Sequence, residues 1–349
     1  MPPDSKQPRK TSSQLAETKR IIDAPEIPLQ DTEVAFEPTR LTADNSGGIY
    51  VISKGINQGI VWLDGAGKFI GFVGAPRVEF SLTDMLWRNF ATKEQKMRMQ
   101  SFVPTEYDAV ERDKNGFLYV TSQTSSSMPV AKLNSNGENI RKNGGFFADE
   151  KYITDKAYAP HFSDIALGDV DSCFHYTVDS DQSRIYCYNE DGEMLYAFGK
   201  QGVQKGSFSN ISAIEFIKDT KYGRHRLVAA DRSNGTITVF RETDFGSGIR
   251  KAIQAYGEGR YEDAAAFWTE VRLTASGYVP AVTNFAKIEL QNGKYKEAME
   301  HLLSVREHEL YLEAFAKWRS DFIRNNFIWI IAAVCILAAL LTVCARLVK

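Results

Sequence analysis

Asp108, Asp164 and Asn210, with Glu106 close by, each stand at the start of a stretch that alternates apolar and polar residues. Carboxylate and amide oxygens brought together from separate strands are the donor set of a hard divalent cation. No run in this chain places them at a spacing that demands a shared ion, so no metal and no cofactor is expected. If one is held, these three residues are its ligands. The five histidines, His161, His175, His225, His301 and His308, are scattered. Only His301 and His308 come near zinc-ligand spacing, and seven residues along a helix is two turns, too far for one tetrahedral ion. No G-x-S-x-G and no phosphate-binding loop occurs. Gly65-Ala-Gly67 is a hairpin turn, because no helix follows it. Cys173 and Cys187 flank a predicted hairpin symmetrically, so a cross-strand bridge is geometrically open, as is a pair of reduced thiols. No catalytic residue is assigned.

The elements that must position these groups form a repeat. Leu41-Thr-Ala-Asp44 through Tyr50-Val51 is followed by Trp62-Leu-Asp64-Gly-Ala-Gly67, and the phrase returns at Ala109–Val120 with Ala131–Gly137. It returns again from Ile165 to Gly199, and from Ile211 to Phe240. Each copy reads as short strands joined by turns of Asp, Asn and Gly. Repeated four-stranded sheets predict an all-β propeller with about four visible blades over 21–246. Tyr176-Thr-Val178-Asp179 with Arg184-Ile185, and less closely Val228-Ala-Ala-Asp231 with Thr236-Ile237, resemble NHL-type blades. That resemblance implies a six-bladed closure, hence a chain read as lacking early blades. Residues 81–101 have helical spacing and read as an insertion, and 142–161 as a second long connection. Residues 1–20 are polar and read as disordered.

From Ser247 the pattern turns helical. Gly259-Arg-Tyr261-Glu-Asp-Ala264 returns thirty-four residues on as Gly293-Lys-Tyr295-Lys-Glu-Ala298, the tetratricopeptide period. Helices are expected over 249–258, 261–273, 278–291 and 295–306, so that 247–320 forms tetratricopeptide-like pairs. A last helix begins near Glu307. Phe327–Ala345 carries no charge, and at about 1.5 Å per residue it spans roughly 28 Å, the thickness of a bilayer's hydrocarbon core. A transmembrane helix over 327–345 follows. Lys317, Arg319 and Arg324 before it and Arg346 and Lys349 after it leave its orientation open.

Composition is that of a globular protein, 43% hydrophobic and 25% charged, and a net charge of −2 provides no field for nucleic acid. Taken together, Phe36-Glu-Pro38-Thr39, Asp84-Met-Leu86-Trp87, Thr92-Lys-Glu94-Gln95 and the helices of 247–320 resemble a group of bacterial membrane proteins. Those join an NHL-type propeller, a tetratricopeptide-like segment and a Yip-type membrane region. The resemblance implies a cell-membrane location with the propeller extracytoplasmic, and a link to sugar transport. The expectation is a non-enzymatic recognition or scaffold protein whose partners are the lipid bilayer and a protein or carbohydrate ligand. The rivals are a lactonase- or lyase-type hydrolase, in which such propellers hold an axial cation, and a cytosolic tail-anchored adaptor.

Overall fold

The computed structural model describes residues 21–27, 35–74, 106–122, 129–141, 161–168, 174–218 and 225–347, with side chains through residue 341. Residues 1–20, the predicted insertion at 81–101, nearly all of 142–161, and Cys173 lie outside these residues. Fourteen strands and then five helices are seen among the described residues. The chain divides into two compact units, Met1–Leu167 with His175–Glu215 and Ala229–Thr238 in one, and Gly168–Phe174, Phe216–Val228 and Val239–Lys349 in the other.

The strands form four antiparallel sheets, each in plain sequence order. The first is β1 (Glu37–Ala43), β2 (Ile49–Lys54), β3 (Ile60–Leu63) and β4 (Phe69–Val73); the second is β5 (Ala109–Arg112), β6 (Leu118–Thr121) and β7 (Val130–Leu133). The third is β8 (Phe162–Leu167), β9 (Phe174–Asp179), β10 (Arg184–Asn189) and β11 (Met194–Phe198); the fourth is β12 (Ile211–Ile217), β13 (Arg226–Asp231) and β14 (Thr236–Arg241). One turn chemistry recurs. Asp44 Oδ1 accepts from the backbone N–H of Ser46 and Gly48, at 2.8 and 2.7 Å. Asp64 does the same for Ala66 and Lys68, Asp113 for Asn115 and Phe117, and Asn134 for Asn136 and Glu138. An Asp or Asn side chain thereby substitutes for backbone partners that a two-strand reversal leaves unmet. This is why D-x-x-G and N-x-x-G punctuate the sequence at strand ends.

Apolar residues from successive sheets interdigitate. Ile52, Ile60 and Val73 of the first sheet pack with Val110, Leu118, Val120, Ala131 and Leu133 of the second. Ala109, Tyr119 and Val130 on the other side of the second sheet pack with Phe162, Ile165, Tyr186 and Tyr188 of the third. Ile60, Phe162 and Tyr188 are completely buried, and each such side chain contributes about 1.5–3 kcal/mol by leaving water. The four leading strands meet one another: β1 lies against β5 and β5 against β8. Ile214 N on β12 donates to Asp164 Oδ2 on β8 at 2.7 Å, and Arg40 Nη2 on β1 donates to the Ser212 carbonyl on β12 at 3.2 Å. Each leading strand therefore touches two others. Among the described residues no strand pairs across two sheets and no closed barrel is formed.

In the second unit, α1 (Asp244–Gly257), α2 (Tyr261–Thr274), α3 (Val279–Gln291), α4 (Tyr295–Val305) and α5 (His308–Leu347) follow in turn. α1 starts five residues ahead of the sequence expectation. Thr243 caps it by accepting from Gly246 N, and Gly246 and Gly248 lie inside the helix. Gly248 is needed there, because a Cβ would lie 2.9 Å from Val271 Cγ2 on α2. The α1–α2 and α3–α4 corners have one construction. Gly259 and Gly293 have φ of 76° and 74°, and Arg260 N and Lys294 N bond five residues back to Ala255 O and Glu289 O, both at 2.8 Å. Tyr261 and Tyr295 each open the following helix, and Ala264 and Ala298 are fully buried. α5 runs without a break across the expected boundaries at 320 and 327. Its apolar stretch is long enough to cross a membrane and none of it is buried.

Candidate functional site

A cavity of about 540 Å³ lies in the first unit where the leading strands begin. Every sheet contributes to its wall. The first supplies Thr39 and Arg40 from β1 and the stretch from Ile52 to Asn57 after β2; the second supplies Glu106, Tyr107 and Asp108 just before β5. The third supplies Ser163 and Ser180, and the fourth Asn210, Ile211, Ser212 and Arg232. Of the residues singled out by type, Asp108, Asn210 and Glu106 come together here. Asp164 does not reach the wall. It is 6% exposed, accepts from Ile214 N, and lies 3.6 Å from Arg40 Nε, so it is a tie between leading strands and is spent on that role. The structure brings Asp108 and Asn210 to one wall and leaves Asp164 off it. Among the described residues no three His, Cys, Asp or Glu side chains are close enough to hold a metal ion.

Local hydrogen bonds set the wall. Asp231, at the end of β13, accepts from Ser209 N at 2.7 Å and Asn210 N at 3.3 Å, and also from Ser233 N and Asn234 N. Arg232 N donates back to the Asn210 carbonyl. One carboxylate thus fixes both fourth-sheet sides of the pocket. In the first sheet Ser53 Oγ accepts from Glu37 N at 2.9 Å, in the corresponding place. Asp179 ends β9 and accepts from Asp181 N and Gln182 N. The Asp that closes the second strand of the third and fourth sheets is therefore a structural clasp, and its chemistry is not offered to a ligand.

On the leading strands Glu111 feels the charges of Glu215 and Asp164, and Arg40 lies beside Asp164. Burial pushes the Glu111 carboxyl from 4.5 up to about 7, and the charges of Glu215 and Asp164 add to the rise. Burial also raises Asp164, opposed by the Ile214 N–H and the Arg40 guanidinium. Glu111, Glu215, Arg40, Lys54 and Arg232 were not singled out from sequence. They lie on strands and turns far apart in the chain, and no spacing could have gathered them. The alternation of each leading strand was the only available signal, marking which residues share a face.

The wall holds hydroxyls, amides and charges of both signs, with no histidine or cysteine among the described residues. A serine without a neighbouring base is a weak nucleophile, so the arrangement suits reversible binding of a polar molecule. His175 is buried between Tyr119 and Tyr188 in the sheet core, its Nε2 accepts from Arg141 Nη2 (3.2 Å), and burial pushes its pKa well down. His301 pairs with Glu289 at 2.7 Å in the helical unit.

No protein-family model and no curated protein matches the chain. Among solved structures it is similar to a Bacteroides fragilis protein described as exported (12% identity, TM-score 0.28, 58% of this chain and 57% of that one). It is also similar to a Bifidobacterium bifidum protein described as an exo-β-1,3-galactanase (12%, 0.31, 56% and 62%), and to domains 1–2 of Drosophila semaphorin 1b (12%, 0.30, 60% and 52%). The chain thus spans less than two thirds of each of these structures. At these TM-scores the likenesses carry no argument about fold or activity.

Proposed function

We propose that this is a membrane-anchored recognition protein whose four sheets act as the blades of a small NHL-like propeller, presenting the pocket to a protein or carbohydrate ligand. The observation that carries the reading is that all four sheets contribute to one polar pocket at the start of their leading strands. A wall gathered from four repeats is rigid, and a binding face built on a rigid scaffold loses little entropy on occupation. The corner geometry repeated between α1–α2 and α3–α4 supports tetratricopeptide-like pairs that serve as a spacer or docking surface. The exposed apolar length of α5 supports the anchor, because a soluble chain would not leave Ile328, Trp329, Ile331, Val334, Leu337 and Leu341 in water. The propeller is placed outside the cytoplasm in this reading, with a role beside sugar uptake.

The test is a glycan-array and protein-partner screen of the full chain in lipid nanodiscs, beside an Asn57→Trp variant that fills the pocket from the turn after β2. Ligands retained by the wild type and lost by the variant, with equal melting temperatures, support the reading. Ligands bound equally by both place recognition elsewhere and overturn it.

A further inference from the structure

Among the described residues five charged side chains line the pocket: Arg40, Lys54, Glu106, Asp108 and Arg232. They are not equally available. Arg40 is held by Asp164 and by the Ser212 carbonyl. Glu106 and Asp108 already have interactions of their own. Among the described residues Lys54 and Arg232 make no ion pair and no side-chain hydrogen bond, and they stand on the first and fourth sheets respectively. The uncommitted charge of the pocket is therefore positive, although the chain as a whole is at −2. Arg232 has its backbone fixed against Asn210, and a guanidinium offers the planar fork that matches a carboxylate or phosphate.

The uncharged wall has a second property. Asn57 Oδ1 and Ser163 Oγ are buried with no hydrogen-bond partner among the described residues. Serine hydroxyls and asparagine amides both donate and accept, which is the pattern that complements ligand hydroxyls. Burying such groups is costly unless a partner arrives.

We infer that the pocket takes a polyhydroxylated ligand carrying one anionic group, a sugar ring with a carboxylate or a phosphate, with Lys54 and Arg232 meeting the anion and the hydroxyl and amide groups meeting the ring. This inference rests on the pocket being the recognition site. The cavity volume of about 540 Å³ accommodates a small ligand of this kind.

The experiment is calorimetric titration of the full chain in nanodiscs with glucose, glucuronate, glucose 6-phosphate and inorganic phosphate, at low salt and at about 0.5 M salt. At least one anionic sugar binds about tenfold or more tightly than glucose, equivalent to about 1.4 kcal/mol. The advantage shrinks at high salt and disappears in a Lys54→Gln, Arg232→Gln double variant of unchanged melting temperature. Carboxylate and phosphate sources are separated by which of the two sugars wins. Glucose binding as tightly as both anionic sugars overturns the anion requirement and leaves the pocket reading intact. Inorganic phosphate binding as tightly as glucose 6-phosphate overturns the sugar. Anionic sugars bound equally by the double variant, or none bound by the wild type, overturn the inference as a whole. The Asn57→Trp comparison judges the pocket separately.

Discussion

At the scale of single residues, Glu111 gives the sheet region a pH dependence of definite sign. Glu111 has a folded pKa near 7 against 4.5 ordinarily, so the folded state keeps a proton that the unfolded chain releases. The resulting destabilisation is absent below about pH 4.5, grows as pH rises, and is complete above about pH 7. Glu111→Gln should therefore raise stability at pH 8 and leave it nearly unchanged at pH 4.5. The gain is about 1–2 kcal/mol, below the full linkage value because Glu111 retains solvent contact. Urea unfolding at the two pH values measures it, and an equal gain at both would contradict the placement of Glu111 beside Glu215 and Asp164. Asp231 has a different role. Its carboxylate accepts four backbone N–H groups, so Asp231→Ala should cost about 2–3 kcal/mol and loosen Asn210 on the pocket wall. Amide hydrogen exchange at Ser209 and Asn210, faster in the variant, reads that loss directly.

At the scale of elements, the two helix corners are a matched pair. Gly259 and Gly293 both have positive φ and open space around a would-be Cβ, so only backbone strain opposes a side chain there. Gly259→Ala and Gly293→Ala should each cost about 1 kcal/mol. Similar values from denaturant unfolding are expected, and a cost at one site alone would break the equivalence. The positions of these helices were legible in the sequence because glycine, tyrosine and alanine recur at a single offset, and each has a local task at the corner. The strands were legible because their turns are built by Asp and Asn acting on backbone a few residues away. The start of α1 was not. Its Thr243 cap outweighs two glycines, one of which answers to Val271 on a different helix. The pocket was legible in part. Asp108, Asn210 and Glu106 were visible as polar residues ahead of strands, but Asp164 has the same sequence signature and is consumed by Arg40 and Ile214. Which acid faces a cavity and which ties two strands depends on partners far along the chain, and local pattern holds no record of them.

At the scale of the whole molecule, α5 is the feature on which location depends. It runs 40 residues from His308 to Leu347, long enough at about 1.5 Å per residue to cross a bilayer and continue beyond it. Phe315, Trp318 and Phe322 stack along its earlier part, with ring centroids 5.7 and 5.6 Å apart. Trp329, 76% exposed, stands near the start of the charge-free stretch, where an interfacial aromatic belongs. A charge at the centre of that stretch costs about 2.5–3.5 kcal/mol of insertion free energy. The most direct test of the account is flotation of the full chain, made in the presence of liposomes, through a density gradient after alkaline carbonate washing. The account predicts that the wild type rises with the lipid and that Leu337→Arg does so to a clearly smaller extent. A wild-type chain that remains in the dense, lipid-free fraction and stays dispersed without detergent would contradict the membrane anchor, and with it the reading of this protein as a recognition face held at a bilayer.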